Sequence, residues 1–166
     1  MTSILKVNQI QNTAGGVPTA ADLGLNVTGS VLQVVTSSSQ TNQSTSSASF
    51  VAITDLTASI TPSSTSSKIL VTVNMPIYTQ SIAGEISVTV YRNGVDIGSS
   101  NGFGFFTCYA GSSDTLQSSS ITHLDSPSST SSVTYQVYMR KFQGGTTVQN
   151  NLRLSKQSIT LMEIAG

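Results

Sequence analysis

The chain has few of the residue types on which most protein chemistry depends. Its 166 residues include one cysteine, one histidine and no tryptophan, and only 8% are charged, seven basic and seven acidic. One cysteine excludes an intrachain disulfide framework, and seven dispersed cations do not form the basic surface that phosphate contacts need. No apolar run approaches the roughly 20 residues of a membrane-spanning helix. We therefore expect neither nucleic-acid binding nor membrane insertion.

Hydroxyl side chains are abundant. Serine and threonine supply about three residues in ten, while hydrophobic residues make up 37%, enough for one core. Polar tracts at 37–47, 63–67 and 126–132 are expected to connect strands. Single threonines such as Thr72 and Thr89 lie inside apolar runs, where β-branching favours a strand. A neutral hydroxyl surface packs against copies of itself without desolvating many ions, which suits a self-associating protein.

The first 29 residues differ from the rest. Four apolar side chains near the start, Ile4, Leu5, Val7 and Ile10, are too few to bury a core of their own. Gly15 and Gly16, followed by Pro18, mark a loop after them. We expect residues 1–29 to form an extended N-terminal arm that docks on a sister chain or a larger assembly, and residues 30–166 to form one domain.

From residue 30 onward, apolar residues recur with the period of two that is typical of β-strands. Asn93-Gly94 favours the positive φ values of a type I′ turn and predicts a hairpin. The run Lys68–Met75 is nearly continuous in apolar residues, which predicts burial on both of its faces. Eight to ten strands with short connections predict an all-β, antiparallel two-sheet sandwich. A jelly roll fits the strand count best, and an immunoglobulin-like sandwich is the alternative.

No catalytic constellation is visible in the sequence. His123 is close to Asp125 and Ser126, but the members of a catalytic triad converge from different elements rather than from one strand end. The carboxylates are dispersed along the chain, which gives no local support for an acid–base pair or a calcium loop. With one histidine, a three-histidine zinc site would need a trimer axis. Cys108 fits a small buried residue. We expect no enzyme activity, cofactor or metal.

The aromatic residues suggest contacts between copies of the chain. Phe105 and Phe106 are adjacent in a strand and point to opposite faces, so one of them is expected on an outer face. Tyr135 and Tyr138 are separated by an odd number of residues and also face opposite ways. Apolar groups on both faces of a sandwich predict an oligomer, so these four are candidate trimer or surface contacts.

Several segments resemble virion structural proteins of tailed phages, especially cyanophages. The resemblance extends over nearly the whole chain, although no single segment is diagnostic. The segments are Ile4–Gly16, Ile60–Val73, Tyr91–Gly94, Leu124–Pro127 and Ile159–Ile164. Those proteins carry small jelly-roll domains similar to the C1q and tumour-necrosis-factor fold.

This resemblance implies a homotrimer on the particle surface, held to other virion proteins by its N-terminal arm through Ile4, Leu5, Val7 and Ile10. The leading hypothesis is a tail-fibre-type protein that contributes to host attachment through surface glycans. One alternative is a capsid decoration (cement) protein that stabilises the phage head. A carbohydrate-binding module is an alternative of another class.

Overall fold

The described part of the chain is built from β-strands. The computed structural model describes residues 11, 14–18, 23, 28–79, 84–100, 102–108, 115–144 and 147–166, with the backbone alone at 104–108. Its eleven strands are β1 (Val31–Ser39), β2 (Gln43–Thr45), β3 (Val51–Ile60), β4 (Lys68–Thr79), β5 (Gly84–Arg92), β6 (Val95–Asp96), β7 (Gly104–Cys108), β8 (Thr115–Asp125), β9 (Val133–Gln143), β10 (Val148–Asn150) and β11 (Gln157–Ile164). No helix in this part of the chain is long and apolar enough to cross a membrane.

The strands form two antiparallel sheets that pack face to face. Sheet A contains β1, β2, β4, β8, β10 and β11, and sheet B contains β3, β5, β6, β7 and β9. The long strands pair in a nested series, β1 with β11, β3 with β9, β4 with β8 and β5 with β7. Nested pairing from the chain ends inward is the pattern of a hairpin rolled into a sandwich, which confirms the predicted jelly roll and excludes the immunoglobulin-like alternative.

Two positions in sheet A are each occupied by a broken strand. β4 pairs with β11 along Lys68–Asn74 and with β10 along Ile77–Thr79, so β10 and β11 lie end to end on one side of β4. β1 and β2 lie beside them in the same way. Sheet A is therefore four strand positions wide, with β8 at one edge and β1 with β2 at the other.

Alternating side chains build the core between the sheets. On β9, the side chains of Val133, Tyr135, Val137 and Met139 are at most 2% exposed. Their neighbours at even-numbered positions face the other way, as the period of two predicts. The same alternation on β11 buries Ile159 and Leu161. One apolar face on each sheet is enough to form the core, because the two inner faces pack against each other.

The structure corrects two expectations. Most of β4 alternates between buried and partly exposed residues, with Leu70 and Thr72 partly exposed and Asn74 exposed, so only one face of this strand packs on the core. The tract 37–47 is not a simple connection, because Ser37–Ser39 end β1 and Gln43–Thr45 form β2. Polar residues form strands here because their backbone groups pair with β10 and β11 at the edge of the sheet.

The hairpin turn lies where the sequence predicts it. Asn93 and Gly94 have φ values of 49° and 83°, the double left-handed conformation of a type I′ turn. The two chain ends of the domain also meet, since the Gly29 amide donates to the Ala165 carbonyl and the Ala165 amide donates to the Ser30 carbonyl, at 2.8 and 2.9 Å. Residues 29 and 30 therefore lie beside the end of β11.

Candidate functional site: the two outer faces of the sandwich

The outer face of sheet A carries a row of four threonines. Antiparallel register places them side by side on four neighbouring strand positions, so that each threonine is opposite the next. The row runs Thr36, Thr160, Thr72, Thr122. The hydroxyls of Thr36 and Thr160 are 3.0 Å apart, within hydrogen-bond distance. A threonine row of this kind offers methyl groups and hydroxyls in one plane, with no charge.

Parallel rows flank the threonines on the same face. On one side is an apolar row, in which Val34 is 55% and Leu124 48% exposed. The residues of the apolar row are Val34, Met162, Leu70 and Leu124. On the other side is a polar row made of Ser38, Ser158, Asn74 and Ser120. These three rows hold twelve side chains and no ionisable group.

The loop between β10 and β11 lies beside the polar row. Residues 151–156, here called the 151–156 loop, separate β10 from β11. The Asn151 amide donates to the Pro76 carbonyl, and the Asn151 side chain exchanges hydrogen bonds of 2.6 and 3.0 Å with Ser155. Leu154 is 57% exposed, and its φ of 54° is left-handed. Hydrogen bonds at Asn151 thus fix the start of the loop, and the apolar side chain of Leu154 is exposed to solvent.

Two shallow recesses flank the 151–156 loop. The first, of about 450 Å³, lies on the β8 side and is lined by Asn74, Met75, Pro76, Ser118, Ser119, Ser120, Ser155 and Lys156. The second, of about 350 Å³, lies on the β1 side and is lined by Ser38, Ser39, Gln40 and Lys156. Lys156 borders both. Neither recess brings together the acid and base groups that catalysis requires.

The outer face of sheet B is aromatic and cationic instead. Tyr91 and Tyr138 stack with their ring centres 3.9 Å apart, and Phe50 meets Tyr91 edge-on at 6.4 Å. The guanidinium of Arg140 lies over the rings of Phe50 and Phe142, at 4.6 and 5.2 Å from their centres. Burial raises the pKa of the Tyr91 hydroxyl, as does the nearby Asp96 carboxylate, so this hydroxyl stays protonated and able to donate a hydrogen bond.

Beneath these faces, Asp125 joins the two sheets. Arg92 on β5 donates from one nitrogen to both carboxylate oxygens, at 2.8 and 2.9 Å, and the Tyr135 hydroxyl donates at 2.7 Å. Burial raises the pKa of Tyr135, and its hydrogen bond to Asp125 raises it further. This cluster comes from the inner faces and closes one end of the core.

Glu163 is a second buried carboxylate. Its Oε1 accepts bonds from the Ser63 amide at 2.7 Å and the Ser63 hydroxyl at 2.6 Å, and its Oε2 accepts one from Gln33 at 2.6 Å. Burial alone would raise the pKa of Glu163, but the bonds from Ser63 and Gln33 outweigh it and hold the pKa below its ordinary value. The carboxylate is therefore a fixed anion that orders the start of the 63–67 turn.

The residues predicted from the sequence fall into different places. Tyr138 belongs to the aromatic cluster on the outer face of sheet B. Tyr135 faces inward and is fully buried, so it is a core residue and not a surface contact. Phe105 and Phe106 lie on β7, where they pair with Ser87 and Ile86. The arm residues Ile4, Leu5, Val7 and Ile10 lie outside the described residues.

Within the described residues, His123 and Asp125 make separate contacts and do not pair with each other. His123 packs against Phe103 with ring centres 4.7 Å apart. Asp125, two residues further along β8, is bonded to Arg92 and Tyr135 instead. In the described part of the chain, no group of three or more histidine, cysteine, aspartate or glutamate side chains is arranged to hold a metal ion.

Sequence reasoning missed the three rows and the 151–156 loop. Alternation places each threonine on an outer face, but a row depends on the register between strands as far apart in sequence as Thr36 and Thr160. The loop lies in a stretch with no glycine or proline to mark it.

No protein-family model matches the chain, and no curated protein matches it in sequence.

Proposed function

We propose that the chain is a non-enzymatic structural protein of a phage particle surface. In this proposal it forms a homotrimer, residues 1–29 attach it to other virion proteins, and it is a tail-fibre-type component that contributes to host attachment. The phage origin and the number of copies rest on the sequence resemblance. The observation that carries self-association is the charge-free outer face of sheet A, with its apolar, threonine and polar rows.

The rows favour association because little opposes their burial. Burying an unpaired ion costs several kcal/mol, by order of magnitude, and these rows contain none. Half-exposed Val34 and Leu124 gain from burial at about 25 cal/mol per Å² of apolar surface. The Thr36 and Thr160 hydroxyls bond to each other, so this pair keeps a hydrogen bond when the row is buried.

The size of the face also supports association. Four strand positions about 4.8 Å apart and up to about 30 Å long give a flat area of several hundred Å², on the scale of one side of a small specific interface. Among the described residues, the cations near the rows lie at their margins. Lys68 is opposite Ile164 at the end of β11, and Lys156 borders the recesses beside the polar row. A large flat face without charge in the middle is typical of surfaces that pack against identical copies.

The chain ends fit attachment by an arm. The Gly29 amide is hydrogen-bonded to the Ala165 carbonyl at the β1 edge of sheet A, which is where the proposed arm joins the domain. An arm that starts at an edge does not have to cross the face that holds the copies together. The attachment therefore remains compatible with burial of the rows.

A second candidate function, saccharide recognition, rests on the outer face of sheet B. Stacked Tyr91 and Tyr138, together with half-exposed Phe142, offer aromatic surface beside a cationic side chain, Arg140. Aromatic rings with polar edges are suitable platforms for sugar rings. If sheet A is buried between copies, this face points outward, as host-glycan recognition requires.

Sedimentation of a matched pair of variants tests the association. Thr72→Lys puts a charge in the middle of the threonine row, and Thr134→Lys puts the same charge on the outer face of sheet B. We expect the wild type and Thr134→Lys to sediment as trimers at micromolar concentration. Thr72→Lys should sediment as a folded monomer, with association weakened by about a hundredfold or more. A monomeric wild type, or two variants that behave alike, would refute the proposal.

Particle experiments separate the attachment roles. Deleting residues 1–29 should abolish incorporation into particles and leave the domain folded. Loss of host adsorption from intact particles that lack the protein supports the fibre-type role. Fragile heads in its absence would instead identify a cement protein, and glycan binding lost in Tyr138→Ala would identify the sheet B face as the saccharide site.

A further inference from the structure

Strand β8 forms a long and regular edge of sheet A. Its 11 residues pair with β4 in one unbroken antiparallel register along Thr115–Asp125. Among the described strands, β8 has a neighbour on the β4 side only. In an antiparallel pair, every second residue directs its amide and carbonyl away from the partner strand. The open edge of β8 therefore presents a row of backbone hydrogen-bonding groups about 37 Å long.

Two other long edge strands carry features that hinder pairing with a further strand, and β8 does not. The register of β1 shifts between Val31 and Gln33, and the Gln33 side chain donates to the Thr61 carbonyl beyond β3. The register of β3 shifts between Ala52 and Thr57. Strand β8 has no such shift, and its sequence contains no proline, lysine or arginine. Proteins use bulges, prolines and lysines to keep exposed edges apart, so the edge of β8 is suited to pairing.

The side chains of β8 are complementary to those of a second, antiparallel copy of β8. The register that overlaps the whole strand places Thr115 opposite Asp125 and Ser120 opposite itself. In that register Leu116 of one copy lies opposite Leu124 of the other, and the two-fold symmetry repeats this contact. Leu116 is 39% and Leu124 48% exposed, and their even separation places them on the same face of the strand. Directly opposed apolar side chains stabilise a strand pair.

The same register avoids like charges and keeps the two faces of the sheet matched. Asp125 is bonded to Arg92 of its own chain and lies opposite an uncharged threonine. Each pair joins two odd-numbered or two even-numbered residues, so the buried Ile121 stays on the core side in both copies. A shift of one residue would turn the core-facing side chains of one copy outward. A shift of two residues would separate the leucines.

We propose that β8 pairs with β8 of a second copy across a two-fold axis at Ser120, which joins two copies of sheet A edge to edge. The contact is isologous, because both copies use the same strand. It uses the edge of sheet A rather than its outer face, so it is separate from the proposed trimer contact and would link one trimer to another.

The edge contact is expected to be weak, because a single strand edge buries an area below that of standard protein interfaces. We expect a dissociation constant of about 100 μM, so that trimers remain separate at micromolar concentration. On the proposed particle surface the copies would pair at this affinity, since tethering raises their effective concentration to about millimolar.

Disulfide trapping tests the register of the two strands. At the two-fold axis the Cα atoms of the two Ser120 residues are about 4.5–5.5 Å apart, within the range of a disulfide. Ser120 is exposed, so Ser120→Cys should fold and form a linked dimer on mild oxidation near the expected dissociation constant. Leu116→Cys alone should not, because its two copies are about 27 Å apart. An equal mixture of Leu116→Cys and Leu124→Cys should form linked dimers.

The wild type sets the background for this experiment, because it carries Cys108 alone. Ser120→Cys that forms no more linked dimer than the wild type would overturn the inference. Leu116→Cys that links to itself as readily as Ser120→Cys would also overturn it, since the strands would then not be antiparallel about Ser120.

A charge at the axis tests the contact by sedimentation. In the wild type, the mass present at micromolar concentration should double as the concentration approaches about 1 mM. Ser120→Lys places two lysines opposite each other and should raise the dissociation constant of the doubling at least tenfold. Asn74→Lys is the matched control, because Asn74 is exposed and lies opposite Ser120 on β4. Its two lysines would be about 14 Å apart, beyond the Debye length in physiological salt, so its doubling should remain.

The two lysine variants disturb the outer face of sheet A alike, so any weakening of the proposed trimer is common to both. Doubling that survives Ser120→Lys, or that both variants lose equally, would overturn the edge contact. Wild-type trimers that neither double nor form linked dimers as Ser120→Cys would refute this contact while the proposed function stands. Doubling from monomers would support the edge contact and refute the trimer.

Discussion

Asp125 and Glu163 are two buried carboxylates on one cross-strand row of sheet A, on either side of Ile69, and the protein stabilises them in different ways. Asp125 is paired with a cation, because Arg92 reaches it from sheet B. Glu163 accepts hydrogen bonds from an amide N–H, a hydroxyl and a side-chain amide. The first arrangement joins the sheets, and the second orders a turn beside the edge where the arm leaves.

The difference shows how a protein with few charges uses them. A cation at Glu163 would lie close to Gln33 and β1, at the edge of the face that we propose packs against copies. Hydrogen bonds stabilise the Glu163 anion there without adding a second charge. At Asp125, strong coupling between two layers is needed, and a charge-assisted pair gives it. Substitutions at the two carboxylates and their partners test this contrast.

Asp125→Ala should destabilise the fold by about 3 kcal/mol, because Arg92 and the Tyr135 hydroxyl would lose their shared partner at the end of the core. Urea unfolding at neutral pH measures this. Asp55→Ala is the matched control, since Asp55 is an exposed carboxylate bonded to the Thr41 hydroxyl, and it should cost about 0.5 kcal/mol or less. Equal losses in the two variants would show that Asp125 does not join the sheets.

Replacing both members of the Asp125–Arg92 pair tests whether the fold requires the carboxylate itself or only its pairing with a cation. In Asp125→Leu with Arg92→Met, no charge is left unpaired, so much of the lost stability should return. A double variant as unstable as Asp125→Ala would mean that the carboxylate itself, rather than its pairing, is required.

Much of the fold was predictable from local pattern, and the candidate site was not. The alternation of apolar and polar positions along Val133–Met139 identifies the inner face of that strand. The Asn93-Gly94 pair identifies a hairpin turn. Both signals are local in the sequence. Ile159, Leu161 and Glu163 are two residues apart and so lie on the same face of their strand. The burial of the Glu163 carboxylate could therefore be predicted from the sequence. Its partners were not, since Gln33 and Ser63 reach it only through strand pairing and loop packing.

The threonine row shows the same limit. Thr36, Thr72, Thr122 and Thr160 are each ordinary outward-facing strand residues, and only the register of four strands makes them neighbours. A one-residue slip in any pair would turn a threonine toward the core. The odd spacing of Tyr135 and Tyr138 correctly predicts that their side chains lie on opposite faces of the strand. Which of the two is buried depends on how the two sheets pack.

Glu163→Gln should cost about 1–2 kcal/mol at neutral pH, because its amide nitrogen cannot accept the bond from Gln33. The loss should shrink in acid. A folded pKa below the ordinary 4.5 means that this group stabilises the fold above that pH and loses its contribution as pH falls through the folded pKa. Urea midpoints of wild type and variant, measured from neutral pH to about pH 3, should therefore converge. A constant gap would contradict the role of the ionised form.

Tyr135→Phe should have the smallest effect, about 1 kcal/mol at neutral pH, because Asp125 keeps both bonds from Arg92.

The distinguishing effect of Tyr135→Phe is on how the stability of the fold changes in alkali. The pKa of Tyr135 is raised in the fold by burial and by its bond to Asp125, so above about pH 10 the unfolded chain releases a proton that the folded chain retains. Wild-type stability then falls with rising pH, and the advantage over Tyr135→Phe should narrow and reverse. Tyr91→Phe serves as a comparison, since burial and Asp96 also raise the pKa of Tyr91, whereas its hydroxyl lies on the outer face of sheet B and does not bond to Asp125. An advantage of wild type over Tyr135→Phe that stays constant through alkali would mean that the Tyr135 hydroxyl ionises as readily in the fold as in the unfolded chain. The Asp125 cluster would then be open to water, and its contrast with Glu163 would reduce to the presence of Arg92 alone.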